Sequence, residues 1–162
     1  MLFHRFVRPV ALLAAVCCAG MPGQARAAED LTSQNLTSQD LTTKAWKALG
    51  AGEVEAALEA AGKCVELHAA EAGRQQADLD DFLPLEQGHD AWALNDVGTC
   101  LFIAGQAHEK AGRTAEAVAA YRRLVDDYRF CQCWDEKGWF WKPAQAAADR
   151  LEALDFDKAL AE

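Results

Sequence analysis

Apolar residues along this chain recur at three- and four-residue steps, and no stretch sustains the two-residue alternation of a half-buried strand. Leu41, Ala45, Ala48 and Leu49 mark one face of a short helix closed by Gly50 and Gly52. From about Glu53, Val54, Ala57, Leu58, Ala61, Cys64, Val65 and Ala69 mark a second. Pro84 and Gly88 break the pattern over Leu79 to Gly88, where Phe82, Leu83 and Leu85 are expected to fold back onto the core. A longer helix is predicted from Asp90, a good N-cap residue, with Ala93, Val97, Cys100, Ala104, Ala107 and Ala111 on its stripe. Trp92, Leu94, Leu101 and Ile103 widen that stripe, which predicts burial on two sides, as in a middle helix. After Gly112 a fourth helix turns Ala117, Val118, Tyr121, Leu124 and Val125 inward and Arg122 and Arg123 outward. The segment RFCQCWDEKGWFW reads as a compact loop, and Pro143 opens a fifth helix lined by Ala144, Ala147, Leu151 and Leu154. The fold class is all-α, with about five main helices over residues 41–155 and a tail at 156–162.

The N-terminal pattern differs. Arg5 and Arg8 precede an apolar run from Val10 to Ala19, and Ala25-Arg26-Ala27 offers a small-x-small cleavage site. That is the layout of a secretory signal peptide over residues 1–27, cleaved near Ala27, and the run is short for a membrane span. The mature chain is therefore expected in the periplasm or secreted, and not membrane-spanning. Residues 28–40 repeat Leu-Thr-Ser-Gln-like units with a five-residue period, which reads as a flexible polar linker. All 25 acidic residues follow Ala27, while Arg5, Arg8 and Arg26 of the 16 basic ones do not, so cleavage moves the net charge from −9 to 13 − 25 = −12. A field of that sign argues against nucleic acid and anionic membrane surfaces and favours a basic or neutral partner.

Two segments align through their turns. Ala45 to Leu58 and Gly105 to Val118 each place a small residue (Ala45, Gly105) seven before a turn glycine (Gly52, Gly112) and an alanine (Ala57, Ala117) five after it. Small side chains let paired helices cross closely, and the turn glycine can take the left-handed conformation that ends the first helix. This spacing resembles the tetratricopeptide repeat, a helix–turn–helix unit that stacks into a solenoid. The Gly112 copy, with Leu101, Gly105, Ala117, Tyr121 and Leu124, is the better match; the Gly52 copy has Ala61 where the other has Tyr121. The two turn glycines lie 60 residues apart, against about 34 in that family, so the array is short and interrupted. The resemblance covers Leu41 to Tyr128. It implies a protein- or peptide-binding module and carries over no catalytic residue. The tail Cys133 to Ala147 resembles the end of small exported bacterial tetratricopeptide-like proteins, some with names linking them to β-glucan enzymes.

Four cysteines follow the signal peptide: Cys64, Cys100, Cys131 and Cys133. In an exported chain they are disulfide candidates with three possible connectivities. Cys64 and Cys100 sit on apolar faces of successive helices and could either bridge or remain buried thiols. Cys131-Gln-Cys133 is a redox pair, half of a metal site, or structural; its spacing is not Cys-x-x-Cys and no His adjoins it. Trp134, Trp139, Phe140 and Trp141 either cap the helical stack or offer a platform for sugar rings. No Ser-His-Asp, phosphate-loop, HExxH or haem-attachment pattern occurs, so neither an enzyme, a cofactor nor a metal is expected. The leading expectation is a partner protein or peptide of the cell envelope, contacted by Trp46, Lys47, Gln106, His108 and Glu109. The alternative is a carbohydrate-associated module, gripping β-glucan or envelope glycan through the aromatic cluster.

Overall fold

A reciprocal cap sets the first helix. In the computed structural model the Thr37 hydroxyl accepts from the Asp40 amide while the Asp40 carboxylate accepts from the Thr37 N–H, both at 3.1 Å. Helix α1 therefore runs Ser38–Ala51, starting inside the stretch that the polar repeat assigned to the linker. The apolar spacing could not show this, because the cap is built from polar residues. The structure describes residues 37–135 and 137–161; the expected signal peptide, its cleavage site and the linker up to residue 36 lie outside them.

Gly52, left-handed at φ 79°, ends α1 and turns the chain into α2 (Val54–Ala77). A one-turn 3-10 helix, Leu85–Gln87, lies in the following loop, where Leu83 packs on the core while Leu85 stays exposed. Helix α3 spans Trp92–Lys110. It begins after Ala91, without a side-chain cap, and Asp90 lies instead in the preceding turn, its amide donating to the Gln87 carbonyl at 2.8 Å. Gly112, at φ 70°, then leads into α4 (Thr114–Asp127), and α5 runs Pro143–Ala161. The five helices bear out the all-α expectation. Among the described residues no helix is long and apolar enough to cross a membrane.

Helix α3 is the central element, in contact with α1, α2, α4 and α5. Leu94, Val97, Cys100 and Ile103 on it are fully buried, as the broad apolar stripe requires. Gly105 lets the ring of Tyr121 lie directly on α3; a Cβ there would stand 2.5 Å from the Tyr121 Cζ. The Tyr121 hydroxyl donates to Glu109 at 2.5 Å, and Arg150 pairs with the same carboxylate, tying α4 and α5 to α3. The two helical hairpins are joined at their turn ends by Lys110 Nζ to the Leu49 carbonyl at 3.0 Å and by Arg113 to Glu55 at 2.8 Å.

Between α4 and α5 two short antiparallel strands, β1 (Cys133–Asp135) and β2 (Trp139–Trp141), pair in the register Cys133↔Trp141, Trp134↔Phe140 and Asp135↔Trp139. The sequence read this stretch as loop. Three-residue strands are too short for alternation to show, and their aromatic content is the remaining strand signal. Gly138, at φ 93°, closes the turn.

Candidate functional site

The β ribbon is held in place by buried polar contacts with α3. Cys131 is fully buried beside Gly98, where a Cβ would come within 2.7 Å of the Cys131 Cβ. Asn95 does two jobs: its carboxamide oxygen accepts from the Gln132 amide at 2.8 Å, and its nitrogen donates to the Gly88 carbonyl at 2.7 Å. The Gln132 side chain donates to the Leu83 carbonyl at 3.1 Å. Thr99 donates to the Asn95 carbonyl at 2.8 Å, and its hydroxyl also meets the Cys133 thiol at 2.6 Å. Phe140 lies over Gly88, whose missing side chain leaves room for the ring, and stacks edge-on with Trp134 at 5.3 Å. On the other face of the ribbon Trp141 packs against Phe102 of α3 at 4.9 Å and Trp46 of α1 at 6.2 Å.

This placement leaves a cleft of about 380 Å³ between α1, the start of α3 and β1. Trp46, Trp92 and Trp134 line it, and they are 39%, 47% and 50% exposed. Asp96 lies in its lining, hydrogen-bonded by the hydroxyl of the buried Ser38. A smaller recess lined by Trp46, Cys133, Trp134 and Trp141 adjoins it. Three half-exposed indoles at one opening are unusual in a chain that buries most of its other large apolar side chains, and such exposure marks interaction surfaces.

The electrostatics of the cleft and of the cysteines are governed by burial. Burial pushes the Asp96 carboxyl above its usual range, with the Ser38 hydrogen bond and the nearby His68 only partly opposing it. Burial also pushes the Cys133 thiol up to about 11, against the opposing Thr99 hydrogen bond. Cys131 is raised by burial and by Cys133, and Cys100 by its hydrogen bond with Cys64 and by burial. These three thiols are therefore protonated at neutral pH and are poor nucleophiles. All four described cysteines are free thiols in this structure. Asp96 is the one carboxylate in the cleft lining, whereas glycoside hydrolysis uses two.

The sequence-derived contact residues divide between surfaces. Trp46 lines the cleft, and Lys47 is exposed next to it on α1. Gln106 is half-buried on α3. Glu109 is committed to Tyr121 and Arg150. His108 lines a different groove, about 620 Å³, between α2, α3 and α4 with Leu58, Val65, Leu101 and Arg123. Its Nδ1 is buried there without a hydrogen-bond partner, and burial followed by the charge of Arg113 holds the imidazole below its usual range. That groove is walled mainly by small aliphatic side chains and holds none of the indoles. The aromatic cluster divides as well: Trp134 and Trp139 are exposed, whereas Phe140 and Trp141 are half-buried against the helices and loop. Trp92 and Asp96 were not among the sequence-derived contacts. Trp92 stood out only as a bulky residue widening the α3 stripe, and Asp96 carried no signal, because its significance depends on Ser38 and the ribbon folding against it.

The three histidines suited to a metal do not converge: His68 packs edge-on against Trp92 at 5.7 Å, His89 against Phe140 at 5.5 Å, and His108 lies in the second groove. Among the described residues no group of three or more His, Cys, Asp or Glu side chains is placed to hold a metal ion. No protein-family model, curated protein or solved structure matches this chain.

Proposed function

We propose that this chain is an exported helical-repeat module that binds a protein or peptide, and that the tryptophan-lined cleft is its partner site. The carrying observation is the convergence of Trp46, Trp92 and Trp134, each about half exposed, from three separate elements onto one opening. Keeping indoles in water forgoes burial worth about 2 kcal/mol for a large side chain, so their clustering calls for a partner that covers them.

The repeat reading is supported by the two hairpins, each turning on a left-handed glycine, and by the direct seating of Tyr121 on Gly105. Export is supported by the charge and apolar pattern of residues 1–27. A peptide is favoured over a glycan by the state of the cleft's polar groups. Sugars are held by directional hydrogen bonds to their hydroxyls. Here Asn95, Thr99 and the Gln132 amide nitrogen already serve the ribbon and the Leu83 loop, which leaves Gln39 and Asp96 as the side chains open to such bonds.

Parallel peptide and glycan arrays probed with the wild-type chain and with Trp92→Ala test this reading. Peptide capture that Trp92→Ala abolishes is the expected result. Glycan capture lost in the same variant would replace the peptide reading with the carbohydrate one.

A further inference from the structure

We propose that the cleft selects a cation: it takes the protonated amine or guanidinium of a partner's Lys or Arg side chain, between Trp46, Trp92 and Trp134 and above the Asp96 carboxylate. This rests on the cleft being the partner site and names the chemistry that the site recognises.

An indole face carries negative electrostatic potential and attracts a cation within about 6 Å of the ring, by up to about 2 kcal/mol once water is displaced. Three indoles line this cleft, together with one carboxylate and no Lys or Arg. An anionic ligand would be repelled by Asp96 and would find no Lys or Arg in the lining, where His89 is the one basic side chain. A purely apolar ligand would strip the remaining water from the Asp96 carboxyl and offer no hydrogen bond in return, which is unfavourable. A neutral polar ligand finds Asn95 and Thr99 engaged in holding the ribbon and is left with Gln39 and the Asp96 carboxylate, the latter an acceptor that a cation satisfies more strongly. A cation completes the set, since it pairs with the carboxylate and lies against the rings.

Two further features agree. Among the described residues Ser38 is the side chain that donates to Asp96, and it occupies only one carboxylate oxygen. Burial outweighs the Ser38 hydrogen bond and the nearby His68, which is why the Asp96 carboxyl is raised rather than lowered. Beyond the cleft, the chain's net charge of −9 draws basic partners toward it.

The decisive experiment titrates the full chain with three blocked pentapeptides of sequence Gly-Ser-X-Ser-Gly, where X is Lys, Gln or norleucine. Binding is followed by tryptophan fluorescence and by the indole N–H signals in NMR spectra. The Lys peptide is expected to bind at least tenfold more tightly than the other two, with the Trp92 and Trp134 signals moving. Asp96→Asn is expected to reduce that preference below threefold while leaving the Gln peptide unchanged. Equal binding of the Lys and Gln peptides, or a Lys preference that survives in Asp96→Asn, would overturn the cation assignment. Should Asp96→Asn fail to fold, the wild-type comparison alone decides. Norleucine binding as well as Lys, with the same indole shifts, would sink the cation reading while leaving the cleft as a partner site. If no peptide moves the indoles and a glycan does, both readings fall together.

Discussion

The ring of Tyr121 occupies the space that a side chain at Gly105 would need. A Cβ at position 105 would come within 2.5 Å of its Cζ and 2.7 Å of its Cδ1. The ring cannot swing aside freely, because Tyr121 is fully buried and its hydroxyl is held by Glu109 at 2.5 Å. Gly105→Ala therefore trades a helix-propensity gain of up to about 1 kcal/mol for overpacking of about 1–3 kcal/mol. A net loss of up to about 2 kcal/mol is expected from urea unfolding. Gly62, inside α2, has nothing within 4 Å of its would-be Cβ, so Gly62→Ala should show the propensity gain alone. If both variants shift stability the same way, the close-approach argument is wrong.

A second prediction concerns acid. Burial alone would raise the Glu109 carboxyl, but the Arg150 and Tyr121 hydrogen bonds outweigh it and hold the group below its ordinary value of 4.5. A carboxylate depressed in the folded state contributes stability in full above that ordinary value, and the contribution is lost as pH falls through the folded one. Wild-type unfolding free energy should therefore drop on acidification below about pH 4.5, in part through Glu109. In Glu109→Gln that part of the pH dependence should vanish, with lower stability at pH 7. Parallel slopes for the two proteins between pH 5 and pH 2, about the range over which such a group titrates, would remove Glu109 from the account.

How much of this was legible beforehand follows from the range of each interaction. Helix faces were readable because Leu41, Ala45, Ala57, Cys64, Val97 and Tyr121 repeat within single helices, and each is buried. The Gly112 turn and the closeness of Gly105 to α4 were readable for the same reason, being encoded within a few turns of chain. The cleft was not. Trp46, Trp92 and Trp134 are separated by more than forty residues at each step and meet only because Asn95 and Gly88 pin the ribbon against α3. Contacts inferred on α3 from repeat position alone, such as His108 and Glu109, fell on other surfaces because α3 is buried on several sides.

Cys64 and Cys100 offer a third test. Each is fully buried, both thiols lie against the Thr42 hydroxyl, at 4.0 and 3.3 Å, and Cys64 is near enough to raise the Cys100 thiol. Refolded in oxidised glutathione, this pair should close: two thiol protons and two electrons leave, and the glutathione disulfide is reduced to two thiols. Closing a loop of about 37 residues should stabilise the fold by roughly 4 kcal/mol on the chain-entropy view. Peptide mapping without reductant should recover a Cys64–Cys100 link, with Cys131 and Cys133 still open to alkylation after unfolding. A Cys131–Cys133 link, or a mixed pairing, would contradict the arrangement.

The last prediction sets stability against recognition at Asp96. Its carboxyl is raised by burial in the folded chain, so the ionised form is disfavoured by folding. The sign is opposite to that at Glu109: the native state binds the proton more tightly, and the penalty is absent below the ordinary value of 3.8 and fully present above the raised one. Asp96→Asn keeps an acceptor for Ser38 and removes the charge. Its melting temperature should exceed the wild type's at pH 7 and converge with it in acid. The groups facing Asp96 constrain the pH range of the comparison. They are His68 from α2, Cys100 on α3, and Cys133 from β1, with His89 also in the cleft. The measurement should therefore be repeated in His68→Gln to separate imidazole titration. The same Asp96→Asn variant should lose the preference for the Lys peptide. A carboxylate that weakens the fold at neutral pH yet is required to hold a cation is the signature of a residue placed for binding. A variant that is both less stable and unchanged in peptide preference would assign Asp96 to the architecture of the ribbon instead.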